Sequence, residues 1–352
     1  GAITGNEVYQ CNGKLHIGGH DIHCHVRTGE GAVDVQSSIA WSCNVAMMHM
    51  GQAIGKTNFA KFQQIFNFGL KTNVDLAGEA RTVDLLFDEK MGDADLATNT
   101  FGQNFNVTMI QMISAFSSLI NGGYYYEPHL VSKITASDGS VVQNINPRVV
   151  KQTVSSTTSE KIIEYCNGVV ENGTGKTARP AGYAIGGKTG TAETIPRDKI
   201  NYVVSFMGYA PADNPQIAIY VVVDRPNTSD QDDAKFATRI VRNILTETLP
   251  YLNIYMTEEL SESEMAELDA LNISVKKANV IEEEEPKEEE PAPEVNEDGT
   301  IDANGGDTTS STPVSEEEMQ SDNVDTAPLT GTLLDPGNAE IQTEGITTQD
   351  GE

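Results

Sequence analysis

Gly182-Tyr-Ala-Ile-Gly-Gly187-Lys188-Thr189-Gly190-Thr191-Ala192-Glu193 supports two incompatible architectures. Residues 182–189 spell G-x-x-x-x-G-K-[ST], the loop that joins a buried strand to a helix and wraps phosphates in backbone amides. Both flanks contradict that reading. Thr177-Ala-Arg-Pro-Ala before it lacks the apolar run of a buried strand. Gly-Thr-Ala-Glu-Thr-Ile-Pro196 after it has no helical periodicity and a breaker at each end. The other reading makes Lys188-Thr189-Gly190 the middle of a strand lining a cleft. There Lys188 brings a fixed positive charge, Thr189 a hydroxyl, and Gly190 room for a substrate backbone to approach.

The surroundings fit the strand. Residues 183–194, 201–210 and 216–224 read as three consecutive strands, and Pro211-Ala212-Asp213-Asn214-Pro215 turns the chain between the last two. Residues 234–249 follow as an amphipathic helix with Phe236, Ile240, Ile244 and Leu245 on its apolar face. Upstream, helical spacing runs through 34–55, 58–68 (Phe59, Phe62, Ile65, Phe66) and 108–119. Segments 128–135 and 140–144 form a hairpin, and Thr157-x-x-Glu160 reads as a capping box that opens another helix. Helices followed by an antiparallel sheet and a covering helix make an α+β fold.

Ser42-Cys43-Asn44 stands 146 residues before Lys188. S-x-N followed by K-T-G is two thirds of the motif set of penicillin-binding proteins and serine β-lactamases, the third being S-x-x-K. Phe101-Gly102-Gln103 with Val107-Thr108, Ile120-Asn121-Gly122-Gly123, Pro128 and Phe206-Met-Gly-Tyr-Ala-Pro211 fall between and after them in order. On these stretches residues 1–250 resemble the transpeptidase domain of class B penicillin-binding proteins, the membrane-anchored enzymes of division and sporulation.

The resemblance implies the penicillin-binding/serine β-lactamase-like fold and acyl transfer. A serine attacks the penultimate D-Ala carbonyl of a peptidoglycan stem peptide, expels the terminal D-Ala and passes the acyl group to a neighbouring chain's amine. β-Lactams mimic D-Ala-D-Ala and stop at the acyl-enzyme. In this picture Ser42 shuttles a proton to the leaving nitrogen and Asn44 holds the substrate amide. Lys188 supplies the electrostatic field, Thr189 and Thr191 bind the terminal carboxylate, and Gly190 lets the peptide dock as a strand. No cofactor and no nucleic acid is implied. The expected partners are glycosyltransferase and other wall-synthesis proteins, and the expected place is the extracytoplasmic face of the membrane, held by an N-terminal anchor.

The one S-x-x-K in the 352 residues is Ser274-Val-Lys-Lys277, which follows both other motifs. The nucleophile is therefore expected upstream of Gly1, leaving 1–255 as a partial transpeptidase domain that is close to inert alone. Three alternatives stay open: a non-catalytic scaffold with the same fold, a D,D-carboxypeptidase, and, remotely, a P-loop enzyme.

Cys11, Cys24 and Cys43 lie in the first 45 residues. On an outward-facing domain a disulfide is permitted. A Cys24–Cys43 bond would tether the edge of the site and gate it by redox state; Cys11–Cys24 across Gly18-Gly19 is the rival, and free thiols are the third option. His16, His20, His23 and His25 crowd the same region, but their spacing matches no standard zinc pattern, so no metal is assigned.

The chain carries 52 acidic and 23 basic residues. From Tyr251 onward there are 28 acids and three lysines, so the body is nearly neutral and the acidity is terminal. No basic footprint for nucleic acid exists, and no apolar run approaches the roughly 18–20 residues of a membrane helix. Residues 256–274 read as a linker with a short helix. Residues 275–352 read as a disordered acidic tail, too polar to offset chain entropy.

Overall fold

The computed structural model describes residues 2–196 and 201–270; the expected acidic tail, 275–352, lies outside them, as does Ser274. The described chain begins with two small antiparallel ribbons. β1 (Val8–Cys11) pairs with β4 (Gly31–Asp34), and between them β2 (Lys14–Ile17) pairs with β3 (His20–His23). Ile17 lies opposite His20, so Gly18-Gly19 is a two-residue turn, and both glycines have positive φ. That is the type I′ requirement, which side chains resist.

The single helical pattern over 34–55 is two helices, α1 (Val35–Ala40) and α2 (Asn44–Ile54). Asp34 caps α1 by accepting the Ser37 N–H at 2.7 Å. The periodicity survives the break because both helices bury one side against the same core, in which Val35, Val45, Ala46 and Met48 meet Cys11, Val33 and Tyr165.

α3 (Lys56–Ile65) follows, and its phase differs from expectation. Ala60 and Gln63 are buried, while Phe62 is exposed beside Phe66 and Phe68 in a chain of tilted rings. α4 (Asp93–Thr100) has no counterpart in the sequence reading, being two turns long and largely polar. α5 (Met109–Ile120) opens on a capping box in which Thr108 and Gln111 exchange bonds of 3.2 Å. The Gln111 amide also donates to the Leu70 carbonyl at 2.7 Å and accepts from Thr82 Oγ1 at 3.1 Å, stitching the preceding loop to the helix.

β5 (Tyr124–Tyr126) pairs with β8 (Val149–Gln152), and the expected hairpin is β6 (Lys133–Thr135) with β7 (Val141–Asn144). α6 (Ser156–Glu171) is capped by Ser155, whose Oγ accepts the Thr158 N–H at 3.1 Å, and not by the Thr157 box. Ser155→Ala should therefore lower the unfolding free energy by about 1 kcal/mol, and Thr157→Ala by a few tenths, in denaturant titrations.

The main sheet is β9 (Gly186–Glu193), β10 (Tyr202–Ala210) and β11 (Ile217–Asp224), ordered β11-β10-β9 and antiparallel throughout. α7 (Lys235–Tyr251) covers one face, with Ala237, Val241, Leu245 and Leu249 against Phe206, Ala210, Ile217, Ile219, Val221 and Val223. α5 and α6 cover the other, where Phe116, Ile120 and Cys166 surround Tyr209 and Met207. The α+β assignment stands. The α7 stripe differs from the expected one: Ile240 and Ile244 are 42% exposed. Leu245 and Leu249 set the buried line at i, i+4, and 236-240-244 lies about 100° away around the helix.

α8 (Glu262–Ala270) is the short helix within the stretch read as a linker. Leu268 is buried, Arg179 pairs with Glu258, and Arg242 pairs with Glu267. No helix among the described residues is long and apolar enough to cross a membrane.

Candidate active site

Lys188 is the third residue of β9, opposite Met207, on the face that α5 and α6 cover. Its ammonium donates to Ser42 Oγ at 2.8 Å and to its neighbour's carbonyl, Thr189 O, at 3.1 Å. Burial lowers its pKa to about 8 from the usual 10.5, with the Cys166 sulfur opposing. The strand and the α1–α2 turn are thus joined through their polar side chains, across 146 residues of chain.

Ser42 has φ +59°, a left-handed conformation that costs an L-residue about 1–2 kcal/mol. The turn holds it there: its N–H bonds to Ile39 O at 3.3 Å and the next N–H, of Cys43, to Ser38 O at 2.9 Å. Asn44 begins α2, and its amide donates to His23 O at 3.2 Å. A pair of helix caps would explain both residues without chemistry. Yet the α2 N-cap is Cys43, which makes no side-chain cap bond, and Ser42 and Asn44 direct their polar atoms elsewhere.

Strand alternation sends Thr189 and Thr191 to the opposite side of β9 from Lys188 and Gly190. Thr189 Oγ1 lies 2.7 Å from Thr174 Oγ1, Thr191 Oγ1 donates to Asp232 O at 3.4 Å, and Gln103 Nε2 donates to Thr191 O at 3.5 Å. Gln103 carried no role in the sequence reading beyond its place in a motif. Thr174 carried none, because it follows Asn172-Gly173, an ordinary helix end with no local signal for the site.

The glycines have structural duties. A Cβ on Gly190 would stand 2.5 Å from Ser205 Oγ, its cross-strand partner. One on Gly187 would meet Phe206 Cζ at 2.3 Å, and one on Gly186 the Tyr209 hydroxyl at 2.1 Å. So Gly187 of the apparent phosphate loop makes room for an aromatic ring and Gly182 for Met256, and Lys188-Thr189 continues a strand where that loop requires a helix.

All four cysteines are buried free thiols, so neither expected disulfide is formed. Cys24 and Cys43 touch through a hydrogen bond, which lowers the Cys24 thiol and raises that of Cys43. The sequence reading sought ligands among the histidines, whereas the structure gathers Cys11, Cys24, Cys43 and Glu30, all with ligand atoms within 4.8 Å of one another. Glu30 had drawn no attention.

Residues 1–246 match the family model described as the penicillin binding protein transpeptidase domain. Stage V sporulation protein D of Bacillus subtilis is 37% identical over 247 residues, covering 69% of this chain and 38% of the relative. Penicillin-binding protein PbpB of Mycobacterium tuberculosis is 28% identical over 258 residues, again with 69% and 38% covered. Among solved structures, penicillin binding protein 3 of Mycobacterium tuberculosis complexed with ampicillin superposes with a TM-score of 0.65 at 26% identity, covering 73% of this chain and 59% of that one. The chain spans less than two fifths of the length of these curated relatives. With the S-x-N turn and the K-T-G strand joined at Ser42 and Lys188 in the geometry described above, and the family model covering the whole body, this chain belongs to the penicillin-binding protein transpeptidase family, on its class B side.

Proposed function

We propose that the whole protein is a serine-type D,D-transpeptidase that cross-links peptidoglycan stem peptides and is acylated by β-lactams. The observation that carries this reading is the 2.8 Å bond from Lys188 to Ser42, in a chain of this family. The Lys188 charge supplies the electrostatic field of the site and polarises the Ser42 hydroxyl beside it. Ser42 then relays a proton to the nitrogen that leaves. Asn44, anchored on His23 O, presents its amide group to the substrate backbone, and Thr189 and Thr191 offer hydroxyls to the terminal carboxylate.

β9 ends the three-stranded sheet, so its outer backbone edge suits an extended peptide adding as a strand. Gly190 keeps that part of the strand free of a side chain. The acyl-accepting serine and its lysine base come, in this proposal, from sequence outside these 352 residues. The domain works on the outer face of the membrane beside glycosyltransferase and other wall-synthesis partners.

Labelling with a fluorescent penicillin tests this, run on the 352-residue chain and on the protein at its native length. Covalent labelling of the native-length protein alone is the expected result. Labelling of the 352-residue chain would place the nucleophile within it. A folded native-length protein that takes no label would be a scaffold, and the enzymatic reading would be wrong.

A further inference from the structure

The first 43 residues bring four metal-ligating groups to one buried point. Cys11 ends β1, Cys24 follows β3, Glu30 precedes β4, and Cys43 precedes α2. Pairing does the gathering. Cys11 lies opposite Gly31, which sets Glu30 next to it, and the Cys24 N–H bonds to Gly13 O at 2.8 Å where the β2–β3 ribbon returns. The loops close tightly around the point: a Cβ on Gly29 would stand 2.3 Å from Cys11 O, and one on Gly13 2.1 Å from Arg27 O.

The three sulfurs are buried and the Glu30 side chain is only 8% exposed. Glu30 Oε2 is buried with no hydrogen-bond partner. An orphaned carboxylate oxygen beside three thiols is costly unless something positive meets it. A Cys24–Cys43 disulfide would employ two of the four groups and leave the Cys11 thiol and Glu30 Oε2 without a partner, His25 Nε2 standing 3.8 Å from the other carboxylate oxygen. A cation employs all four.

We propose that Cys11, Cys24, Cys43 and Glu30 form a tetrahedral site for a thiophilic divalent cation of the zinc class. Zn–S bonds of about 2.3 Å put tetrahedral ligands about 3.8 Å apart, and the four ligand atoms here all lie within 4.8 Å of one another. Three thiolates select zinc over calcium or magnesium, and four protein ligands leave no open position, so the site is structural and not hydrolytic. Binding converts the three thiols to thiolates and releases their protons to solvent, with no electron transferred. His25 stands in the outer shell, its Nδ1 3.7 Å from Cys24 Sγ and its Nε2 3.8 Å from Glu30 Oε1, as histidines that steady ligands do. The ion ties both ribbons to the Ser42–Asn44 turn through Cys43, and so fixes the place of the Ser42 hydroxyl. This inference stands apart from the reaction proposed above, since its readout is the metal.

The test is metal content and cobalt spectroscopy of the native-length protein, purified with thiols reduced and then stripped with chelator. One zinc per chain and thiolate-to-cobalt charge-transfer absorption on adding Co²⁺, displaced by Zn²⁺, are expected. Cys11→Ser and Glu30→Gln should each weaken Zn²⁺ at least about 10–100-fold, the loss that even outer-shell changes produce. Cys166→Ser, a buried thiol outside the cluster, should leave uptake unchanged. If the ligand variants fail to fold, the unmutated protein still decides. Less than a tenth of an equivalent of metal with Cys11, Cys24 and Cys43 all found as free thiols overturns the site, as does cobalt absorption that survives in folded Cys11→Ser. Isolation as a Cys24–Cys43 disulfide that takes up no metal after reduction would equally end it.

Discussion

Lys188→Ala in the native-length protein should slow acylation by fluorescent penicillin by about 10²–10³-fold, the usual cost of removing one preorganised charge from a site where charge develops. In the proposed reaction the substitution removes both the charge that sets the field of the site and the donor to Ser42 Oγ. It should not damage the fold. An ammonium held below its ordinary pKa by burial opposes folding, so the thermal midpoint should stay level or rise. The same shift has a pH signature. Lys188 must carry its proton to act, and that proton leaves as pH rises through about 8. The second-order acylation constant should therefore fall above pH 8, approaching tenfold per unit. Lys188→Arg, charged at every accessible pH, should lose that limb while remaining slower than the lysine enzyme, since a planar fork does not fit a site shaped for a point charge. For stability the sign runs the other way. The folded chain holds this proton less tightly than the unfolded one, so the group's contribution improves between pH 8 and 10.5. Wild-type acylation rates in Lys188→Ala would remove Lys188 from the chemistry.

Gly187→Ala should cost about 3 kcal/mol and lower the thermal midpoint by about 10 °C, measured by circular dichroism. The added methyl would stand 2.3 and 2.8 Å from Phe206 Cζ and Cε1, and 2.6 Å from Met207 O. The carbonyl belongs to the neighbouring strand and cannot withdraw without disturbing the β9–β10 ladder. The ring is buried between β10 and α7 and has nowhere to turn. A midpoint unchanged to within 2 °C would mean that the ladder opens at little cost, contrary to the packing described.

The sequence made some of this legible and hid the rest for identifiable reasons. β10 and β11 could be read because nine and eight residues of mostly apolar chain have few other uses. β1 to β4 could not, because four-residue strands that bury one side chain or none give no period to detect. Helix α7 was evident as a helix, but its phase depended on which of two stripes the sheet accepts, which is a tertiary matter. Ser42, Asn44 and Lys188 could be singled out because motif order survives without coordinates, and the structure joins Ser42 to Lys188. Thr174 and Glu30 were not, since each joins its group only when separate segments pair. The thiols show the same limit. Counting cysteines suggested pairs, while the β1–β4 register produced a foursome that includes a carboxylate.

The position of β9 at the end of its sheet has a cost as well as a use. A strand left open to receive one extended peptide is open to any, including the same strand in another copy of the protein, and such edges are where soluble proteins aggregate. Two features blunt that hazard. Gln103 already occupies the Thr191 carbonyl, and Lys188 aims a charge inward from the border strand, a device that penalises indiscriminate pairing. In the proposed reaction, the lysine whose charge serves the chemistry therefore also discourages indiscriminate strand pairing, so that activity and resistance to self-association rest on the same ammonium group.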